Sequence, residues 1–110
     1  MTTDVWFVML PGVLSLDMSG PAETFVLAGD AFRLHYIGPD PEVPTSIGMT
    51  MGGIRPLPDA LPDGSLLVLP GVSDSGRYFA TPQAAAVRRW LTRLQPQLHA
   101  GRLTLMCVCS

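Results

Sequence analysis

Three short apolar runs, each the length of one strand, set most of what this 110-residue chain can fold into. They are Val5-Trp6-Phe7-Val8-Met9-Leu10, Leu66-Leu67-Val68-Leu69, and the stretch from Leu103 through Leu105-Met106-Cys107-Val108-Cys109. Runs that are apolar rather than alternating belong to parallel strands covered on both faces. Phe32 to Ile37 alternates and is predicted as a further strand. Between strands the period becomes helical: Val87, Trp90, Leu91, Leu94 and Leu98 share one stripe, while Arg88, Arg89 and Arg93 turn toward water. Thr81-Pro82 caps and opens that helix, and Gly101 closes the segment. By the same logic Ser19 caps an earlier helix over 21–28, with Pro21 in its first turn and Gly29-Asp30 as its stop. That placement leaves Leu16-Asp17-Met18 in a loop. Residues 38–64, rich in Pro and Gly, predict irregular backbone with a short hairpin around Ile47–Met51.

Strand, helix, strand, irregular hairpin, strand, helix, strand is the order of an α/β domain with a parallel sheet and helices on both faces. The strands flanking the irregular segment are too few to form separate cores, so it reads as an insertion within one domain. An apolar fraction of 47% is enough to fill that core. The formal net charge of -2 argues against nucleic-acid binding by these residues. Met1-Thr2-Thr3-Asp4 lacks the basic start of a signal peptide, and no apolar run approaches bilayer length. Cys107 and Cys109 would share one strand face, a strained geometry for a disulfide, and no neighbouring His completes a metal site. A reducing cytoplasm is expected, with no membrane partner, no metal and no cofactor.

In an open parallel sheet, ligands bind beyond the carboxyl ends of the strands. Three segments should meet there. The first strand leads to Asp17 and on to Glu23; the third leads to Pro70-Gly71-Val72; the last ends in Cys109-Ser110. A carboxylate can exchange a proton with a thiol, and a glycine lets backbone N–H groups approach a developing oxyanion. Plainer assignments stand beside these. Cys107 is expected as a small core hydrophobe, and Cys109 as either reactive or inert. Asp17 and Glu23 also fit a simple loop carboxylate and a helix-dipole partner. Gly71 also fits turn punctuation. His35 and His99 are expected to be structural or exposed, and the methionines to be core filler.

Phe7-Val8-Met9-Leu10-Pro11-Gly12-Val13, followed by Leu16-Asp17-Met18-Ser19-Gly20-Pro21-Ala22-Glu23-Thr24-Phe25, resembles the opening of the ThiJ/PfpI superfamily. Within it the segment looks like the branch fused to AraC-type regulators, the GlxA-like factors. Leu67-Val68-Leu69-Pro70-Gly71-Val72 is similar to the family's oxyanion loop, and Cys107-Val108-Cys109-Ser110 to its nucleophile elbow. The resemblance implies a class I glutamine amidotransferase-like, flavodoxin-like three-layer sandwich. It implies Cys109 as elbow cysteine, Asp17 as its acidic partner, Ser110 as the residue after the nucleophile, and Gly71 and Val72 as oxyanion-side backbone, with Glu23 nearby. Val72 stands where many enzymes of the superfamily carry a second Gly.

Residues 1–110 are therefore expected to be the N-terminal part of such a domain, since a core strand that stops at Ser110 leaves nothing to carry the chain off the sheet. The expected function is a small-molecule-sensing domain of a homodimeric AraC-type regulator, with DNA contacted only through a C-terminal domain outside these residues. The alternatives are a stand-alone enzyme, such as an isonitrile hydratase-like lyase with Cys109 as nucleophile, and a redox sensor in which Cys109 is oxidised.

Overall fold

The computed structural model describes residues 1–74, 77 and 79–108. The strands are β1 (Thr3–Val8), β2 (Phe32–Ile37), β3 (Val43–Pro44), β4 (Thr50–Met51), β5 (Ser65–Pro70) and β6 (Leu103–Val108). The helices are α1 (Ser15–Leu27), α2 (Pro82–Arg93) and α3 (Gln95–His99). Four strands form one parallel sheet in the order β2-β1-β5-β6, and β3 and β4 pair as a small antiparallel hairpin. The register runs from Thr3↔Phe32 to Val8↔Ile37, from Val5↔Leu66 to Phe7↔Val68, and from Ser65↔Leu103 to Pro70↔Val108. This is the α/β architecture that the apolar runs predict.

Chain direction explains why the helices take opposite faces. From β1 the chain crosses through α1 to β2 on one side; from β5 it crosses through α2 and α3 to β6 on the other. Parallel crossovers are right-handed, so opposite sideways steps place their helices on opposite faces. Strand alternation then feeds two cores. Val5, Phe7 and Val68 pack with Met18 and Ala22 of α1. Val8 and Leu67 pack with Val87, Trp90 and Leu94. The step from β2 to β5 runs in the same sense as the one through α2, and Leu57 and Leu61 of that segment join the α2 core. Trp90 is fully buried, and its indole N–H donates to the Pro58 carbonyl, tying α2 to the irregular segment.

Three expectations need correction. The first helix starts at Ser15, six residues before Pro21, so Pro21 lies inside it. Leu14 at its amino end makes no side-chain cap; the Ser46 hydroxyl of the hairpin turn accepts from the Ser15 N–H instead. Burial of Met18 and Ala22 outweighs the amide bond that Pro21 cannot make. Second, the apolar stripe from Val87 to Leu98 is split after Arg93, because Pro96 cannot donate to the preceding turn. Third, the last strand is not covered on both faces, and Cys107 is exposed rather than in the core. β6 is one of the two outer strands among the described residues, and Thr104, Leu105 and Cys107 keep contact with solvent. The Thr81 hydroxyl accepts from the Ala84 N–H, the cap the sequence predicts.

Candidate functional site

Connections leave β1 and β5 in opposite directions, so the crevice between their carboxyl ends is the topological switch point of the sheet, the place where open α/β sheets bind ligands. Two backbone bonds close its floor. The Leu14 N–H donates to the Gly71 carbonyl at 2.8 Å, and the Ser73 N–H donates to the Gly12 carbonyl at 2.8 Å. Together they form an antiparallel bridge between Val13 and Val72. The N–H groups of Gly71 and Val72 take no part in that bridge.

Asp17 stands in the first turn of α1, directly over this floor. The helix start that the sequence argument misplaced is what aims its carboxylate here. A side-chain methyl at Gly71 would lie 2.7 Å from Asp17 Oδ2, 3.2 Å from Leu14 Cδ1 and 3.3 Å from the Val108 carbonyl oxygen. Gly71 is therefore required for space, not for an unusual backbone angle. One point touches the helix that carries Asp17, the loop after β5 and the last described residue of β6.

Asp17 Oδ2 is buried and has no hydrogen-bond partner among the described residues. An orphaned buried oxygen costs about 1–3 kcal/mol. A carboxylate in a helix's first turn recovers only about 0.3–1 kcal/mol from the macrodipole. The balance is unfavourable, so stability does not account for this carboxylate.

Of the six sequence-predicted site residues, the structure brings Asp17 and Gly71 together, with Val72 buried beside them. Glu23 lies elsewhere: it is exposed, almost two helical turns beyond Asp17, and lines a separate cavity with Tyr36. Cys109 and Ser110 lie outside the described residues, directly after Val108. An apolar cavity of about 350 Å³ adjoins Gly71 on the α2 face. Leu10, Leu69 and Val87 line it, with Arg88, Phe79 and the Cys107 thiol also at its wall. Arg88 Nη1 donates to the Phe79 carbonyl at 3.1 Å, which holds the guanidinium there. The sequence argument missed this cavity, because an Arg on a helix's polar side carries no signal of its own. Among the described residues no group of three His, Cys, Asp or Glu could hold a metal, and no helix is long and apolar enough to cross a membrane.

No family model matches the chain, and no curated protein matches it. Solved structures do. A ThiJ/PfpI family protein from Pseudomonas syringae superposes over 100% of this chain and 43% of its own, with TM-score 0.68 and 17% identity. An AraC family transcriptional regulator from Pseudomonas putida covers 94% of this chain and 80% of its own, with TM-score 0.64 and 15% identity. A DJ-1 superfamily protein from Agrobacterium tumefaciens covers 84% and 50%, with TM-score 0.60 and 18% identity. The chain thus spans about half the length of two of these three. The fold is the flavodoxin-like α/β fold of the DJ-1 and ThiJ structures, and identities this low carry the fold alone.

Proposed function

We propose that this chain is the N-terminal part of a ThiJ/PfpI-type domain that senses a small molecule within an AraC-type transcriptional regulator. In this proposal the ligand sits at the switch point, against Asp17, the amides of Gly71 and Val72, and the Cys109 thiol, with Ser110 following. The regulator is a cytoplasmic homodimer, and DNA binding belongs to another domain. The observation that carries the proposal is the orphaned Asp17 oxygen beside Gly71 and the Val108 carbonyl. It marks a place for a proton donor one residue from Cys109. An AraC family transcriptional regulator among the structural neighbours is consistent with a regulator that carries such a domain.

The same oxygen favours a second reading, a cysteine-dependent hydratase or hydrolase. There Asp17 takes the thiol proton as Cys109 attacks, and the loop amides receive the developing anion.

Both readings put Asp17 beside the Cys109 thiol, close enough to affect its reactivity. Iodoacetamide labelling of the intact protein, read peptide by peptide, tests this. Asp17→Asn should slow labelling of Cys109 while labelling of the exposed Cys107 stays at its parent rate. A Cys109 rate unaffected by Asp17→Asn overturns both. Promoter fragments retarded by the intact protein, with retardation altered by Cys109→Ala, support the regulator; turnover of an isonitrile that Cys109→Ala abolishes supports the enzyme.

A further inference from the structure

A second cavity, of about 360 Å³, opens between α1, the end of β2 and the β3–β4 hairpin. It shares no lining residue with the Asp17–Gly71 crevice. Its wall is soft and apolar: Met9 and Met18 are buried, and Met51 and Ile54 close the hairpin side. Tyr36, whose ring also stacks on Phe7 with centroids 5.6 Å apart, and the exposed Glu23 complete the lining. Glu23 is the only charged residue of the lining, and no described residue forms an ion pair with it. The Tyr36 hydroxyl ionises above its ordinary 10.0, first through burial and then through the negative charge of Glu23. The carboxylate's field therefore extends into the cavity.

We propose that this cavity binds a small organic cation, an alkylammonium compound whose hydrocarbon body packs on the methionines and whose ammonium lies between Glu23 and the Tyr36 ring. The chemistry of the wall selects that class. A buried apolar surface draws the body in. An aromatic face and polarizable thioethers suit an ammonium group better than an anion. An unpaired carboxylate with no cation beside it repels anions and attracts amines. Among the described residues no cationic side chain lines the cavity or pairs with Glu23.

The probe is cyclohexylammonium, compared with cyclohexanol and cyclohexanecarboxylate, which share its ring but not its charge. Methionine ¹³C-methyl NMR on the intact protein reads the site. Cyclohexylammonium should shift Met9, Met18 and Met51 and leave Met106 unchanged. It should bind more tightly than cyclohexanol by about threefold to tenfold, as for one partly exposed charge pair with a cation–π contact. Glu23→Gln, at an exposed position that tolerates the change, should remove that preference, and added salt should weaken it. Cys109→Ala should leave it intact, which separates this site from the function proposed above. Equal binding of cyclohexanol, preference for the carboxylate, shifts confined to Met106, or self-association that shields Met18 and Met51 from every probe would each overturn the proposal.

Discussion

Two aspartates mark the two ends of β1, Asp4 within its first two residues and Asp17 in the helix beyond its carboxyl end, and their surroundings are opposite. Asp4 Oδ1 accepts from Arg33 Nε at 3.0 Å and lies 2.8 Å from His35 Nε2. His35 in turn stacks on Trp6, with ring centroids 3.9 Å apart. Every part of that cluster has a partner. Asp17 lies at the carboxyl end of the strand, with a buried oxygen that no described residue satisfies. The contrast separates two uses of one side chain. At the amino end the carboxylate ties β1 to Arg33 and His35 of the edge strand β2; at the carboxyl end one oxygen is buried without a partner among the described residues. Paired groups report architecture, and the unpartnered oxygen at the switch point is the observation on which the proposed function rests.

The comparison breaks most readily at Gly71. Gly71→Ala puts a carbon 2.7 Å from Asp17 Oδ2, with the Val108 carbonyl blocking retreat. Overpacking of this kind costs about 1–3 kcal/mol, and thermal denaturation should show it. Gly20→Ala, inside α1 with nothing within 4 Å, is the matched control. It should gain about 0.5–1 kcal/mol, because an interior helical glycine is replaced by a better helix former. A Gly71→Ala protein as stable as its parent would mean that the space around Asp17 is not held open.

Asp17→Asn sharpens the contrast from the other side. It should slow Cys109 alkylation about tenfold, equivalent to about 1.4 kcal/mol, while stability stays level or rises, since no paired charge is lost. Asp4→Asn should do the reverse. Its partner Arg33 is 63% exposed, so the lost pair is worth only about 0.2–1 kcal/mol. Urea denaturation should register that loss, with alkylation unchanged. If both variants lose stability alike and neither alters alkylation, the two aspartates serve the same structural purpose.

Much of this arrangement could be read in the residues, and the failures have physical causes. The apolar runs gave strands because backbone alternation inside two covered faces leaves no room for polar side chains. Thr81-Pro82 gave a helix start because cap and proline act locally. Pro21 misled because the same local cue appears inside a helix held by packing. The signal that outranks it was present: Met18, Ala22 and Phe25 recur at helical spacing across the proline. Asp17 and Gly71 were found through motif position, but their contact depends on a helix start that the proline obscured. Glu23 was drawn to the wrong crevice, since six residues along a helix turn a side chain well away from the first. Cys107 was placed inside because its burial depends on what flanks β6, a property no local pattern carries.

The smallest effect concerns the third carboxylate, Glu23, which no described residue pairs but which lies in solvent rather than buried. Its influence is seen only through Tyr36. Burial first, and then the Glu23 charge, raise the Tyr36 pKa above 10.0, so the folded protein holds that proton longer than the unfolded chain. The resulting contribution to stability is complete below the unfolded value near 10 and is lost as pH rises through the folded one. Phenolate absorbance during an alkaline titration reads the folded value directly. Glu23→Gln should bring it down only part of the way, because burial is the larger cause and remains. Asp4→Asn should leave it unmoved, since the Asp4 carboxylate is paired with Arg33 and is no cause of the Tyr36 shift. A Tyr36 titration that answers to Asp4 but not to Glu23 would reverse which of the two carboxylates acts on that hydroxyl.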